Sequence, residues 1–410
     1  MRSRSSALVA TLAAAALVAT GCGSKGSGGG GSGGGSDTVV FGASMSLTGE
    51  LAREGQLTKE GYQLCAQKIN DKGGIDVGGT KKKLQIKFQD DTSEPDTAAQ
   101  LVDQFNDQGI KLILSSYGSA NTEAQAAVIE RNGQVMADSA GADDSIFQQG
   151  YKRTFAVLSP ASEYAASIVK AIDELAKPRP KTIAFLSADD GFSKTGAAGG
   201  MATAKKLGFT VIPAKYFPEG STDVSSSLTK VKGAHPDVII GTVHLEEGVA
   251  IIKQSHELGV KPAGFGETVA PPTPDFASTL GQQAEGVLGS SQWSETTKGS
   301  DKYFGTAKDY AADIQQKYGH VPDYHDAEAS AACLAMVMAI EKAGSTDPDK
   351  VRDALAGLDT QSFFGHIKFN SKGQNVYKPM SVIQIQHGKV VTVWPTEAAE
   401  ADMVWPGNQS

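Results

Sequence analysis

The chain has 410 residues, 40% of them hydrophobic and 20% charged, which is globular composition with length enough for two domains. Acidic side chains outnumber basic ones, 46 to 38, and the net charge of −8 argues against a nucleic-acid partner, because phosphate recognition needs a basic face. Three cysteines are too few for a disulfide scaffold.

Taken from its start, the chain opens with Arg2 and Arg4, followed over 7–19 by small apolar residues, too short a run to span a bilayer as a stable helix. Ala19-Thr20-Gly21-Cys22 then has the form of a bacterial lipobox, whose cysteine is lipidated on sulfur and whose preceding segment is removed. Leucine is commoner than Ala19 at that position. A diacylglyceryl group carries two acyl chains, enough for stable anchoring. A plain secretion signal with a chance cysteine is the alternative. The Gly/Ser run over 23–36 reads as a flexible tether with a typical reach of roughly 20 Å. Residues 1–22 are thus expected to be a lipoprotein signal segment, and the body to stand outside the cytoplasm, lipid-anchored to the outer face of the cell membrane.

Strand-like and helix-like segments alternate from Thr38 onward. TVVFGASM predicts a strand, and the segment over 54–70 a helix with Leu57, Gly61, Leu64, Cys65 and Ile69 on one face. KLQIKFQDD, IKLILSS and QVMAD predict further strands, separated by helices over 96–108 and 121–131. The pattern restarts at YKRTFAVL, with helices over 162–175, 193–207, 224–231 and 246–258 between KTIAFLS, FTVIPAKYF and PDVIIGTV. VLGSSQW precedes helices over 301–317, 327–342 and 348–358, then GHIKFNSKGQN and a hairpin-like PMSVIQIQ-HG-KVVTVWP. Alternation at this spacing argues for βαβ units and mainly parallel sheets. Two such units predict an α/β chain of two lobes with a cleft between them. Ligands in open α/β sheets sit outside the carboxyl ends of strands, so the candidate loops are 44–55, 115–122, 138–144, 187–192, 242–246 and 264–270.

Catalytic and metal motifs are missing from those loops. There is no CxxC, HExxH, EF-hand loop or full Walker A, no GxSxG elbow at a strand end, and the seven histidines are scattered. No cofactor and no metal is called for. SLTK and KTG stand in the wrong order for a β-lactamase. Cys65 and Cys333 each lie on the apolar side of a helix, as two buried thiols or, outside the cytoplasm, as a disulfide.

Loop by loop, a ligand role stands beside an ordinary one. Gly118 and Ser119 lie between a strand and a helix, where free N–H groups and a hydroxyl suit a carboxylate; simple N-capping by Ser119 or Asn121 uses the same residues. Small residues at Ala140, Gly141 and Ala142 leave room against the backbone, or form a turn capped by Asp143 or Asp144. Phe192 follows a strand, where it covers a ligand or packs locally. His244 and Glu246 form a strand end that is otherwise a solvated first helical turn. Glu267 and Thr268 stand in a further loop, and Tyr324 and His325 just before a helix.

SLTGELAREG, GGIDVGG, DDTSEPDTA, SSYGS, PDYHDAEASAA and VRDALAGLDTQSFFGHIKFNSKGQN occur in an order and spacing that resembles the type I periplasmic-binding proteins, specifically the leucine/isoleucine/valine-binding group that serves ABC importers. The resemblance covers about 38–395. It implies two lobes joined by three crossovers, near Leu158, Gly289 and Asn375, with lobe 1 over 37–158 and 290–375 and lobe 2 over 159–289 and 376–405. It further implies that the loop of Tyr117, Gly118 and Ser119 grips a carboxylate, that the loop of Ala140, Gly141 and Ala142 offers a carbonyl to an ammonium group, that Phe192 covers the ligand side chain, and that an acid near Glu267 meets the ammonium from the second lobe. Two positions depart from the family: a threonine is usual at Ala142, and the first-loop aromatic is replaced near Arg53-Glu54. The expected function is a monomeric solute-binding protein, not an enzyme. It would capture an amino acid or related small carboxylate and deliver it to ABC permease subunits. The alternatives are a sensor presenting its ligand to a signalling partner and an extracellular hydrolase pairing Ser119 with His244 or His325.

Overall fold

Strand β1 (Thr38–Met45) is buried along nearly its whole length because it lies inside a sheet, flanked in parallel by β3 (Thr80–Asp90) and β4 (Leu112–Leu114). This computed structural model describes residues 37–407; the expectations for Cys22 and the tether over 23–36 lie outside the described residues. β5 (Val135–Asp138) and β6 (Thr154–Ala156) extend the sheet in parallel, and β2 (Ile75–Val77) closes the far edge antiparallel to β3, six strands in all. Helices α1 (Ala52–Asp71), α2 (Pro95–Asp107) and α3 (Ser119–Asn132) connect them.

The second sheet has seven strands. β7 (Thr182–Ala188) lies between β8 (Thr210–Phe217) and β9 (Val238–Thr242), followed by β10 (Gly264–Glu267) and β11 (Leu288–Ser291), all parallel. Its crossing helices are α4 (Ser162–Leu175), α5 (Gly191–Lys206), α6 (Ser225–Lys232), α7 (Leu245–Glu257) and α8 (Pro274–Leu280). The chain then returns to the first core. After the small hairpin of β12 (Ser300–Asp301) and β13 (Gly305–Thr306), it adds α9 (Ala307–Tyr318), α10 (Tyr324–Ala343) and α11 (Pro348–Ala356), then the hairpin of β14 (Asp359–Ser362) and β15 (Gly365–Lys368). The antiparallel pair β16 (Ser381–Gln386) and β17 (Lys389–Trp394) finally joins the second sheet beside β11. His387 and Gly388 between them have φ of 56° and 71°, the left-handed pair that a two-residue hairpin turn requires. This is the expected α/β fold of two mainly parallel sheets.

Two local departures have plain causes. The helix expected from Asp301 begins at Ala307, because Gly305 turns the chain at φ 74° and Thr306 and Asp309 form a reciprocal capping box. Helix α10 is buried from Tyr324 to Val337 and shows no polar stripe, since it lies inside the first core between other elements. There it meets α1, and Cys65 and Cys333 form a disulfide with Cα atoms 6.3 Å apart.

The chain passes between the two sheets three times, and the three passages are tied together. The Ser159 N–H donates to Gln292 Oε1 at 3.0 Å, Gln292 Nε2 donates to the Ser159 carbonyl at 3.1 Å, and Ser159 Oγ donates to the Lys378 carbonyl at 2.9 Å. Lys378 Nζ in turn donates to the Gln292 carbonyl. Gly289 lies inside β11, ahead of the second passage, and Asn375 holds the third against the first through the Val157 carbonyl.

Candidate ligand-binding cleft

The carboxyl ends of both sheets face one cleft, and the residues lining it come from the turns after each strand. In the first lobe a buried carboxylate sets those turns. Asp91 accepts hydrogen bonds from Ser44 Oγ at 3.1 Å, Ser46 Oγ at 3.0 Å, Ser116 Oγ at 2.5 Å and Asn121 Nδ2 at 3.3 Å. Burial pushes its acidity down while these donors favour the anion, and the net direction of its pKa is upward. The network locks the ends of β1 and β4, and so fixes where Tyr117, Gly118 and Ser119 stand.

Gly118 has φ 95° and turns the chain into α3, whose first-turn N–H groups lack intrahelical partners. That positive φ is what calls for glycine, since a Cβ there would meet only the movable tip of the Leu51 side chain, 2.8 Å away. Ser119 Oγ accepts the Asp143 N–H at 3.1 Å, which leaves its own proton to donate. The neighbouring turn is held by Asp138, whose Oδ1 accepts the N–H groups of Ala140 and Gly141 at 2.9 and 2.8 Å. The carbonyl of Ala142 is taken by the Ala161 N–H at 2.8 Å. Ala140, Leu51 and Tyr117 form a small apolar patch of their own.

Aromatic rings from both lobes meet in the cleft. Tyr117, Tyr324 and His325 come from the first, Tyr164, Phe192 and His244 from the second. Tyr164 lies edge-on to Phe192 with centroids 5.1 Å apart, Phe192 lies 5.3 Å from His244, and Tyr324 stacks on His325 at 4.1 Å. Burial raises the phenol pKa of Tyr117, Tyr164 and Tyr324 well above the usual value, so all three stay neutral hydrogen-bonding groups. The Tyr164 hydroxyl also meets the Gln292 side chain, which joins this aromatic floor to the passages between lobes.

The lobes are bonded across the cleft. Glu54 Oε1 accepts the Leu245 N–H at 3.1 Å, Thr195 Oγ1 donates to Asp143 Oδ1 at 2.8 Å, and Arg53 pairs with Asp275 at 2.5 Å. Around the mouth stand Glu50, Asp190, Glu219, Glu246 and Glu247. Burial, reinforced by Asp190, pushes the Glu219 carboxyl up to about 7. Burial, reinforced by Glu247, also raises Glu50 and Glu246. Burial opposes the His244 imidazolium, but Asp190, Glu247, Glu54 and Glu219 outweigh it and its pKa rises.

Of the residues expected from sequence, Tyr117, Gly118, Ser119, Ala140, Phe192, His244 and Tyr324 gather at the cleft, and Glu246 stands at its mouth. Gly141 is pressed against Thr122, 2.4 Å from where a Cβ would be. Two others do different work. Thr268 Oγ1 both accepts the Val243 N–H and donates to its carbonyl, at 2.9 Å each, and so braces the His244 turn from behind. Glu267 is fully buried against Gly248 of α7, and its carboxylate oxygens have no hydrogen-bond partner among the described residues. Burial, reinforced by Glu247, raises its pKa well above the usual carboxylate range. Ser119 is bonded to Asp143 and both histidines to Tyr117, and the pairing of Ser119 with His244 or His325 that the hydrolase alternative needs has no hydrogen bond among the described residues. Sequence reasoning missed Tyr164 and Glu219 as cleft residues, and placed Glu54 and Asp190 only within the candidate loops 44–55 and 187–192, without a role. Asp190 followed by glycine at a strand end was the one visible signal.

Two lobes hinged by three passages, with a closed cleft at the strand ends, define a bilobal ligand-binding protein. The match to the periplasmic binding protein family model spans residues 38–389, and the chain belongs to that family. Among curated relatives, the Leu/Ile/Val-binding protein homolog 8 of Brucella abortus is 26% identical over 390 residues, covering 89% of this chain and 92% of that protein. Among solved structures, the leucine-binding protein LivK of Thermotoga maritima superposes with a TM-score of 0.77 at 22% identity, covering 86% of this chain and 97% of that one. The branched-chain amino acid transporter substrate-binding protein LivJ of Streptococcus pneumoniae, in complex with isoleucine, gives a TM-score of 0.76 at 23% identity over 90% and 100% of the two chains. A solute-binding protein of Rhodopseudomonas palustris in complex with benzoate shares the fold at a TM-score of 0.74 and 15% identity, over 87% and 95%.

Proposed function

We propose that this protein is the solute-binding component of an ABC importer, capturing an amino acid or related small carboxylate between its lobes. The observation that carries the reading is the unpartnered start of α3, with the Ser119 hydroxyl beside it, opening into a cleft whose walls are bonded to one another. Helix-start N–H groups and a hydroxyl donor recognise an anionic group, and opposed aromatic rings cover an organic body. The names of the relatives, Leu/Ile/Val-binding and branched-chain amino acid transporter proteins, fit the same class of ligand. The chain acts by binding and hinge closure rather than by chemistry. A lipid on Cys22 and the Gly/Ser tether would keep it beside its permease and raise the local concentration there.

The test is a thermal-shift screen of the full chain against amino acids, amides and aromatic acids, since a ligand bound only by the folded state raises the melting midpoint. A carboxylate hit that loses its shift in Ser119→Ala supports the reading. A protein indifferent to every carboxylate overturns it.

A further inference from the structure

The cleft mouth carries more negative charge than its neighbours neutralise. Glu50 and Glu54 approach it from the first lobe, and Asp190, Glu219, Glu246 and Glu247 from the second. Their arrangement is tight. One carboxylate oxygen each from Asp190 and Glu219 and one ring nitrogen of His244 lie within 4.8 Å of one another. Of the nearby bases, Arg53 pairs with Asp275 and Lys194 with Asp189, and His244 stands among these acids as a single partial counter-charge.

Two of these acids have structural hydrogen bonds. Glu54 accepts the Leu245 N–H, and Glu247 Oε1 accepts the Gly220 N–H at 2.8 Å. Asp190 is different. Its Oδ1 caps α5 through the Ser193 N–H at 2.8 Å, but its Oδ2, on a side chain with only 9% of the residue exposed, has no partner among the described residues. A desolvated carboxylate oxygen without a donor is costly unless a donor arrives. Phe192, two residues on, and Tyr117 pack their rings on His244, with centroids 5.3 and 6.0 Å away, so aromatic surface, which attracts cations, borders the acids.

We propose that the captured solute is an amino acid with a second positive charge at the end of its side chain, an ammonium or a guanidinium, held by Asp190, Glu219 and Glu50 against Phe192 and His244. This rests on the solute-binding reading above and narrows it. The α-carboxylate goes to the start of α3, and the distal cation to the acidic mouth. The cationic end does not carry over from the relatives, whose printed ligands, isoleucine and benzoate, are uncharged there.

The experiment is calorimetric titration of the full chain with L-arginine, L-lysine, L-leucine and zinc chloride, repeated with Glu219→Gln and Asp190→Asn. The second variant keeps the cap on α5. Arginine or lysine should bind at least about tenfold more tightly than leucine, and either variant should reduce that preference by about tenfold. Leucine binding as tightly as the dibasic amino acids overturns this inference and leaves the solute-binding reading standing. Zinc binding that is lost in both variants, with no preference for arginine or lysine, overturns it in favour of a metal site. Binding of no amino acid or carboxylate overturns both readings.

Discussion

The Tyr117 hydroxyl stands between two histidines of different lobes, 3.2 Å from His244 Nδ1 across the cleft and 3.3 Å from His325 Nε2 behind it. Asp323 ends the chain, with Oδ2 3.0 Å from His325 Nδ1. A carboxylate only accepts, so His325 Nδ1–H donates to Asp323; with His325 neutral, Tyr117 O–H then donates to its Nε2 and His244 Nδ1–H donates to Tyr117. His244 also has a ring nitrogen within 4.8 Å of carboxylate oxygens of Asp190 and Glu219. Closure thus joins the acidic mouth to the floor of the cleft through a single line of hydrogen bonds.

Ser119→Ala removes one hydrogen bond to the anionic end of the ligand. Affinity should fall by about 1.5–3 kcal/mol, read by calorimetry, and the melting midpoint of the ligand-free protein should drop as well, because the buried Asp143 N–H loses its acceptor. An unaltered Kd rejects Ser119 as a donor.

Glu54→Ala deletes the acceptor for the Leu245 N–H, a bond that exists only when the lobes are together. The ligand-free variant should be more open than the parent, with a larger radius of gyration by small-angle scattering. Its ligand should dissociate faster, because closure then contributes less to holding it.

Glu219 makes the ligand-free protein sensitive to pH. Its folded pKa of about 7 lies above the ordinary value of 4.5, through burial and the charges of Asp190, Glu50 and Glu247, partly offset by His244. The folded state therefore holds a proton that the unfolded state releases between these values, and the stability this proton contributes is full below about 4.5 and lost as pH rises through 7. Glu219→Gln should melt higher than the parent at pH about 8 and level with it near pH 5, followed by scanning calorimetry. Equal midpoints across that range reject the repulsion.

His320 shifts in the same direction for a different reason. Its hydrogen bond to Glu60, 2.8 Å long, raises its pKa from 6.5 to about 9. The stability gained is complete below 6.5 and disappears as pH rises through about 9, so His320→Gln should lose melting temperature at pH 6 but little above pH 9.5.

Cys22→Ser should release the protein from the membrane fraction of the producing cell. Retention there with no second anchor contradicts the lipobox reading.

Much of the fold was legible because strand and helix periods are local properties. TVVFGASM and the segment over 162–175 lie where the pattern put them, and His387-Gly388 marked its hairpin by turn chemistry alone. The loops after the strands were legible too, since chain order in a parallel sheet brings every strand's carboxyl end to one side. Which side chains in those loops turn toward the cleft was decided by tertiary contacts. Glu267 and Thr268 are adjacent, yet one is buried under α7 and the other braces the Val243 backbone, because a strand sends successive side chains to opposite faces and only packing says which face is the cleft. The acidic mouth was invisible for a related reason. Glu50, Asp190 and Glu219 each look like ordinary surface acids, and their mutual repulsion exists only once two lobes and three strand ends place them around one cleft mouth.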